Sequence, residues 1–201
     1  MIEKRRTQKE RREGTIRTLL DAATDTLIEV GYAEASTQRI CTRTELSQGA
    51  LFRHFATREA LMVAVGEDVG AQLLAQYRKK FTRRHDNDVR AAMKLLRDTC
   101  RSRLNQAWYE LATAARTNET LRKALEPVAR RYYADIAELA RALLPDVAAK
   151  MGDAFELLVG TIIAIFDGES LHRFVLREPR AVDDARIELL AAAFTSLAVR
   201  G

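Results

Sequence analysis

Between Ser36 and Leu61 the chain reads STQRICTRTELSQGALFRHFATREAL. Ser47 can cap a short helix whose apolar positions, Leu51 and Phe55, are one helical turn apart and share one side. At about 100° per residue the opposite side carries Gly49 and Arg53, flanked by Ala50 and Phe52, with Gln48 at the leading end. A glutamine amide can pair with adenine and an arginine fork with guanine, and the major groove of a duplex admits one α-helix. The chemistry on offer is therefore recognition of base edges rather than bond breaking. Arg58 stands where the next helix begins, a place where free backbone N–H groups and the helix dipole favour an anion.

No rival chemistry is comparably placed. His54, His85 and His172 are scattered, and no glycine-rich phosphate loop or paired nucleophile and base can be found. No metal and no cofactor are expected. Cys41 and Cys100 are too few for a disulfide framework and suit a reducing compartment, with Cys41 read as a small buried filler.

The elements that must hold this segment are helical throughout. Nine Gly and three Pro in 201 residues leave little to interrupt helices, and Ala, Leu and Arg favour them. Ile16, Leu19, Leu20, Ala23, Leu27 and Val30 recur at helical spacing up to Gly31, a natural left-handed stop. Ser36 or Thr37 can cap a second, short helix bearing Ile40 and Cys41, and a fourth starts after Thr57 and carries Leu61, Val65, Val69 and Leu73. Further on, Asn118 looks like an N-cap and Pro127 like a restart or a kink. Two final helices are expected, about Asp153 to Leu176 and Asp183 to Val199.

Residues 15 to 66 resemble the N-terminal domain of the TetR family of bacterial transcriptional regulators. The resemblance is carried by Gly31-Tyr32, Ser36, Ile40, Ser47, Gly49-Ala50-Leu51-Phe52, His54-Phe55 and Arg58-Glu59-Ala60-Leu61. It implies an all-α fold of about nine helices: a basic flexible arm (1–14), a three-helix helix-turn-helix DNA-binding domain with the start of helix 4 (15–66), and a helical ligand-binding and dimerisation domain (67–201). It also implies that Gln48, Gly49, Ala50 and Arg53 face bases while Thr37, Ser47, His54 and Arg58 hold phosphates. Three departures stand out. Cys41 replaces the usual Ala, Phe52 replaces a Tyr whose hydroxyl commonly reaches a phosphate, and Thr44-Glu45-Leu46 replaces Ala-Gly-Val. Glu45 thus falls where a left-handed turn favours Gly, at a cost of roughly 1 kcal/mol.

Charge placement points the same way. The net charge is +5, and residues 1–17 hold seven basic side chains, Arg5 and Arg6 among them, against three acidic ones. Such an arm suits phosphate binding, because each neutralised phosphate releases counterions. No charge-free stretch approaches the roughly 20 residues of a membrane span, and the charged opening lacks a secretory core, so the cytoplasm is expected.

The last two helices are apolar around most of their circumference, through Phe155, Leu158, Ile162 and Phe166 and then Leu190, Phe194 and Leu197. One covered face cannot bury so much, and a two-fold four-helix interface between copies accounts for it. Met93, Cys100, Trp108, Tyr109, Tyr132, Phe166 and His172 are the side chains expected to line an effector cavity. The combined expectation is a homodimeric repressor, released from a palindromic operator on double-stranded DNA by a small, apolar or amphipathic effector. The alternatives are a DNA-binding structural or adaptor dimer without an effector, and an all-helical enzyme.

Overall fold

A computed structural model describes residues 7–81 and 88–200, with the side chains of Phe81 and of residues 197–200 left aside. Arg5, Arg6 and the Leu197 side chain therefore lie outside the described residues. Ten helices and no strand occur among them: α1 Gln8–Glu34, α2 Thr37–Thr44, α3 Gln48–Phe52, α4 Arg58–Phe81, α5 Val89–Cys100, α6 Arg103–Ala115, α7 Glu119–Leu143, α8 Pro145–Met151, α9 Ala154–His172 and α10 Arg180–Arg200.

Capping chemistry sets most of these boundaries. Thr7 and Glu10 form a reciprocal capping box, so α1 begins at Gln8 and the later part of the expected arm, residues 8–14, is helical. Ser36, Ser47, Thr57 and Asp88 accept from backbone N–H groups in the first turns of α2, α3, α4 and α5. Asn118 does the same for α7, its Oδ1 accepting from Leu121 N at 3.0 Å. Gly31 takes φ 73° yet does not end α1, which resumes after a kink and runs to Glu34. Pro127 sits inside a continuous α7. The stretch from Pro145 is the helix α8, begun by proline where its missing N–H costs nothing.

The chain divides into two compact units, residues 1–70 with 106–128, and 71–105 with 129–201. The first thus gains most of α6 and the start of α7, a grouping the sequence did not announce. Its core includes Leu19, Leu27, Ile40, Leu51, Leu61, Met62, Leu111 and Leu121, all essentially solvent-free. Arg17 binds Asp68 through its guanidinium, Nη1 to Oδ1 at 2.7 Å, and so ties α1 to α4.

In the second unit α5, α9 and α10 enclose Met93, Leu96, Phe155, Ile162, Phe166, Ile187 and Phe194. Phe155 and Phe194 meet edge to face at 6.4 Å between ring centres. A buried ionic knot joins the same helices. Arg101, just past α5, binds Glu169 of α9 and reaches both carboxylate oxygens of Asp183 of α10 at 2.8 and 2.9 Å. Glu169 is 5% exposed, so its charge is tolerable only because that arginine is there.

Candidate nucleic-acid interface

The segment singled out in the sequence folds as two short helices at a tight corner. Ile40 and Cys41 of α2, Leu51 of α3 and Phe55 beyond it point into the first unit's core. Between the helices Glu45 adopts φ 59°, ψ 13°, the left-handed conformation expected of the residue that replaces glycine. Thr44 Oγ1 accepts from Leu46 N at 3.3 Å and closes the turn.

Burying that side leaves the other in solvent. Gln48, Gly49, Ser47 and Arg53 are exposed, Ala50 is half-buried, and Phe52 is 45% exposed beside them. Arg53 Nε, just past α3, donates to Gly49 O at 3.4 Å, a long contact. Ser47 Oγ accepts from Ala50 N at 3.1 Å, which leaves its O–H as a donor. Thr37 is half-buried at the start of α2. Of the four residues expected to face bases, Gln48, Gly49 and Arg53 are thus exposed and Ala50 is half-buried, while Thr37 and Ser47 stand at helix starts.

His54 and Arg58 are placed differently. His54 is half-buried, and its Nδ1 has no hydrogen-bond partner among the described residues. Arg58 is occupied with the fold: Nε donates to Ala35 O at 3.0 Å, an Nη donates to Tyr32 O, and the guanidinium lies 4.1 Å from the centre of the Tyr32 ring. It closes the end of α1, where carbonyls lack helical partners. Of the neighbouring cations, Arg43 is bound to Glu29, whereas Arg39 remains about half exposed, 3.7 Å from Glu34.

The second unit contains a cavity against which the residues expected to line an effector pocket can be placed. A partly open void of about 40 Å³ is lined by apolar side chains of α5, α7, α9 and α10, with Met93, Leu96, Ile136, Val159, Ile162 and Phe194 in its wall. Its polar member is Tyr77, whose hydroxyl already donates to Ala92 O at 3.0 Å. Of the seven side chains expected to line it, Met93 does. Cys100 and Phe166 are core residues and Tyr132 packs against that core. Trp108 and Tyr109 belong to the first unit, and His172 lines a separate cleft of about 320 Å³ with Glu169, Arg173 and Arg186. Most of the remaining lining is aliphatic and reads as ordinary core, while Tyr77 and Phe194 add aromatic rings.

Neither cysteine forms a disulfide, both are buried, and burial pushes both thiols up, away from the reactive thiolate. Among the described residues no group of His, Cys, Asp or Glu could hold a metal ion, and no helix is long and apolar enough to cross a membrane.

The expected interface between copies needs revision at the level of residues. Phe155, Ile162, Phe166 and Phe194 are at most 6% exposed, and Leu158 and Leu190 pack against the same core. These side chains are spent on their own chain. What α9 and α10 leave outside is another set, with Leu157 76% exposed and Leu189 70% exposed. An all-round apolar helix announces two buried sides without saying which is internal, and here the bulky aromatic side turned inward.

Residues 19–65 match the sequence pattern of the bacterial regulatory proteins of the tetR family. An uncharacterized HTH-type transcriptional regulator of Mycobacterium tuberculosis is 39% identical over 193 residues, spanning 95% of this chain and 98% of its own. The fold is similar to that of a TetR-family transcriptional regulator from Rhodococcus sp., with a TM-score of 0.71 at 16% identity over 90% of this chain and 98% of that one. It is also similar to a transcriptional regulator from Saccharomonospora viridis in complex with choline, with a TM-score of 0.63 at 14% identity, covering 92% and 95% of the two chains.

Proposed function

The chain belongs to the TetR family of bacterial regulatory proteins and is a DNA-binding transcriptional regulator, and from that premise we propose that it works as a homodimeric, effector-released repressor in the cytoplasm. Membership of a family of regulators, rather than any missing catalytic group, sets the helical-enzyme reading aside. The observation that carries the proposal is the exposure of Gln48 and Gly49 on α3 and of Arg53 just past it, with Ala50 half-buried among them, backed by a helix pair whose other side is core.

In this reading Gln48 and Arg53 pair with base edges. Ser47 and Thr37 hold backbone phosphates, and the basic N-terminal residues, Arg5 and Arg6 with them, add sequence-independent affinity. His54 and Arg58 act behind that surface, Arg58 by fixing the corner that precedes α2. Two copies are needed because one short helix contacts too few bases, and a two-fold pair reads a palindrome. The exposed sides of α9 (Leu157, Thr161, Ala164, Ile165) and α10 (Leu189, Ala193) supply the contact between copies. Small residues in both stripes let helices approach closely.

Release follows from the size of the cavity. About 40 Å³ holds roughly three water molecules, whereas a ligand pocket measures about 300 to 1,000 Å³. In this reading an effector lodges at this partly open void and spreads its walls, which include α5, α7, α9 and Phe194 of α10. It therefore binds one conformation far better than the other, which is what a switch requires. The wall selects a compound that is mainly apolar. That a similarly folded regulator binds choline supports a small organic effector in this fold.

Sedimentation of the protein mixed with a duplex it prefers tests the proposal. Two copies per duplex are expected, and a complex with one copy contradicts it.

A further inference from the structure

The corner between α1 and α2 is gripped by two helices that take no part in the base-reading surface. Gly31, at φ 73° and ψ 170°, breaks the helical ladder, and the next N–H, that of Tyr32, donates to Glu110 Oε2 of α6 at 3.2 Å. The carbonyl of the same residue accepts from Arg58 of α4. An anion therefore holds Tyr32 by its N–H while a cation holds it by its C=O. Glycine at 31 makes room for this: a Cβ there would stand 3.0 Å from Glu110 Oε2. Within a few residues Ser36 caps α2 and fixes where that helix starts.

We propose that Glu110 is a positioning residue for DNA reading, making α6 a strut that sets the entry point of α2. The proposal rests on the reading that α2 and α3 dock on DNA. α6 follows α5, whose Ala92, Met93 and Leu96 line the cavity, after only Arg101 and Ser102. A shift of α6 is passed to the α1–α2 corner by one hydrogen bond to a backbone N–H, so the reach of the acceptor oxygen matters and its charge matters less.

Reciprocity makes this testable without an effector. If moving α6 alters DNA binding, binding DNA must alter α6. Trp108, the single tryptophan of the chain, lies on α6, its Cζ3 3.5 Å from the position a Cβ would take at Gly66 of α4. It reports directly on that packing.

The experiment titrates the full chain with a labelled duplex selected for binding, following anisotropy and Trp108 emission together. The wild type is expected to change emission in step with binding. Glu110→Gln keeps an acceptor oxygen at the same reach and is expected to match it. Glu110→Asp keeps the charge but withdraws the oxygen by a methylene. It is expected to bind the duplex about 5-fold or more weaker and to lose most of the emission change at saturation. Melting curves of both conservative variants verify that they fold. Wild-type behaviour in Glu110→Asp, equal failure in Glu110→Gln, or unaltered Trp108 emission in DNA-saturated wild type each overturns the proposal. A wild type that prefers no duplex overturns the docking reading instead.

Discussion

Replacing Glu45 by glycine is expected to stabilise the protein, although it removes every side-chain atom at that position. Glu45 sits at φ 59°, ψ 13° in the turn between α2 and α3 and is exposed. The left-handed conformation costs an L-residue about 1 to 2 kcal/mol, because Cβ crowds the following carbonyl. Glycine avoids that cost but gives up about 0.5 to 1 kcal/mol through the greater freedom of its unfolded chain. The balance is a gain of roughly 0.5 to 1 kcal/mol, or about 1 to 4 °C in Tm for a chain of this length. Glu45→Val tests the opposite sign, since a β-branched side chain fits this conformation worst, and a loss of about 1 kcal/mol or more is expected. Thermal unfolding of the three proteins at one fixed concentration decides it, because the proposed dimer would make Tm depend on concentration. A Glu45→Gly protein that melts below the wild type would show that the turn is not strained and refute the reasoning.

Other outcomes follow from the same structure. Arg53→Ala should relax preference at one base pair by about 1 to 3 kcal/mol, and equal losses on specific and random duplexes would refute base reading by Arg53. Leu157→Glu should yield folded monomers by sedimentation while Ile162→Glu should fail to fold, because only the second is buried; an unaltered dimer in Leu157→Glu contradicts the proposed interface. The Asp183 carboxyl is held below the usual aspartate range chiefly by its hydrogen bonds from Arg101. A depressed folded-state pKa contributes stability above the unfolded value of about 3.9 and loses it as pH falls through the folded value. Asp183→Asn should therefore flatten the acid side of the stability profile measured by denaturant unfolding, and a profile as steep as the wild type's contradicts the assignment.

What the sequence disclosed was mostly local. Ser36, Ser47, Asn118 and the inward pair Leu51 and Phe55 could be read because caps and helical periodicity act within a few residues. The strain at Glu45 was legible as a departure from the glycine that the turn prefers. Roles decided by distant partners were not. Arg58 looks like an anion ligand at a helix start, yet carbonyls of Tyr32 and Ala35, remote in sequence, claim its guanidinium. Phe155 and Phe194 look like contact residues between copies until their edge-to-face packing within one chain is seen. Glu110 carried no signal, because nothing in its neighbourhood points to a backbone N–H 78 residues away. The cavity was hidden for a related reason, since mostly aliphatic walls read as ordinary core.

The most direct test of the central claim is selection of bound duplexes from a random pool by the purified full chain. The account predicts an enriched inverted repeat whose half-site centres lie about one helical turn apart, roughly 34 to 36 Å, matching two α3 helices in successive major grooves. A pool that stays unenriched, or a winning sequence without two-fold symmetry, would contradict it.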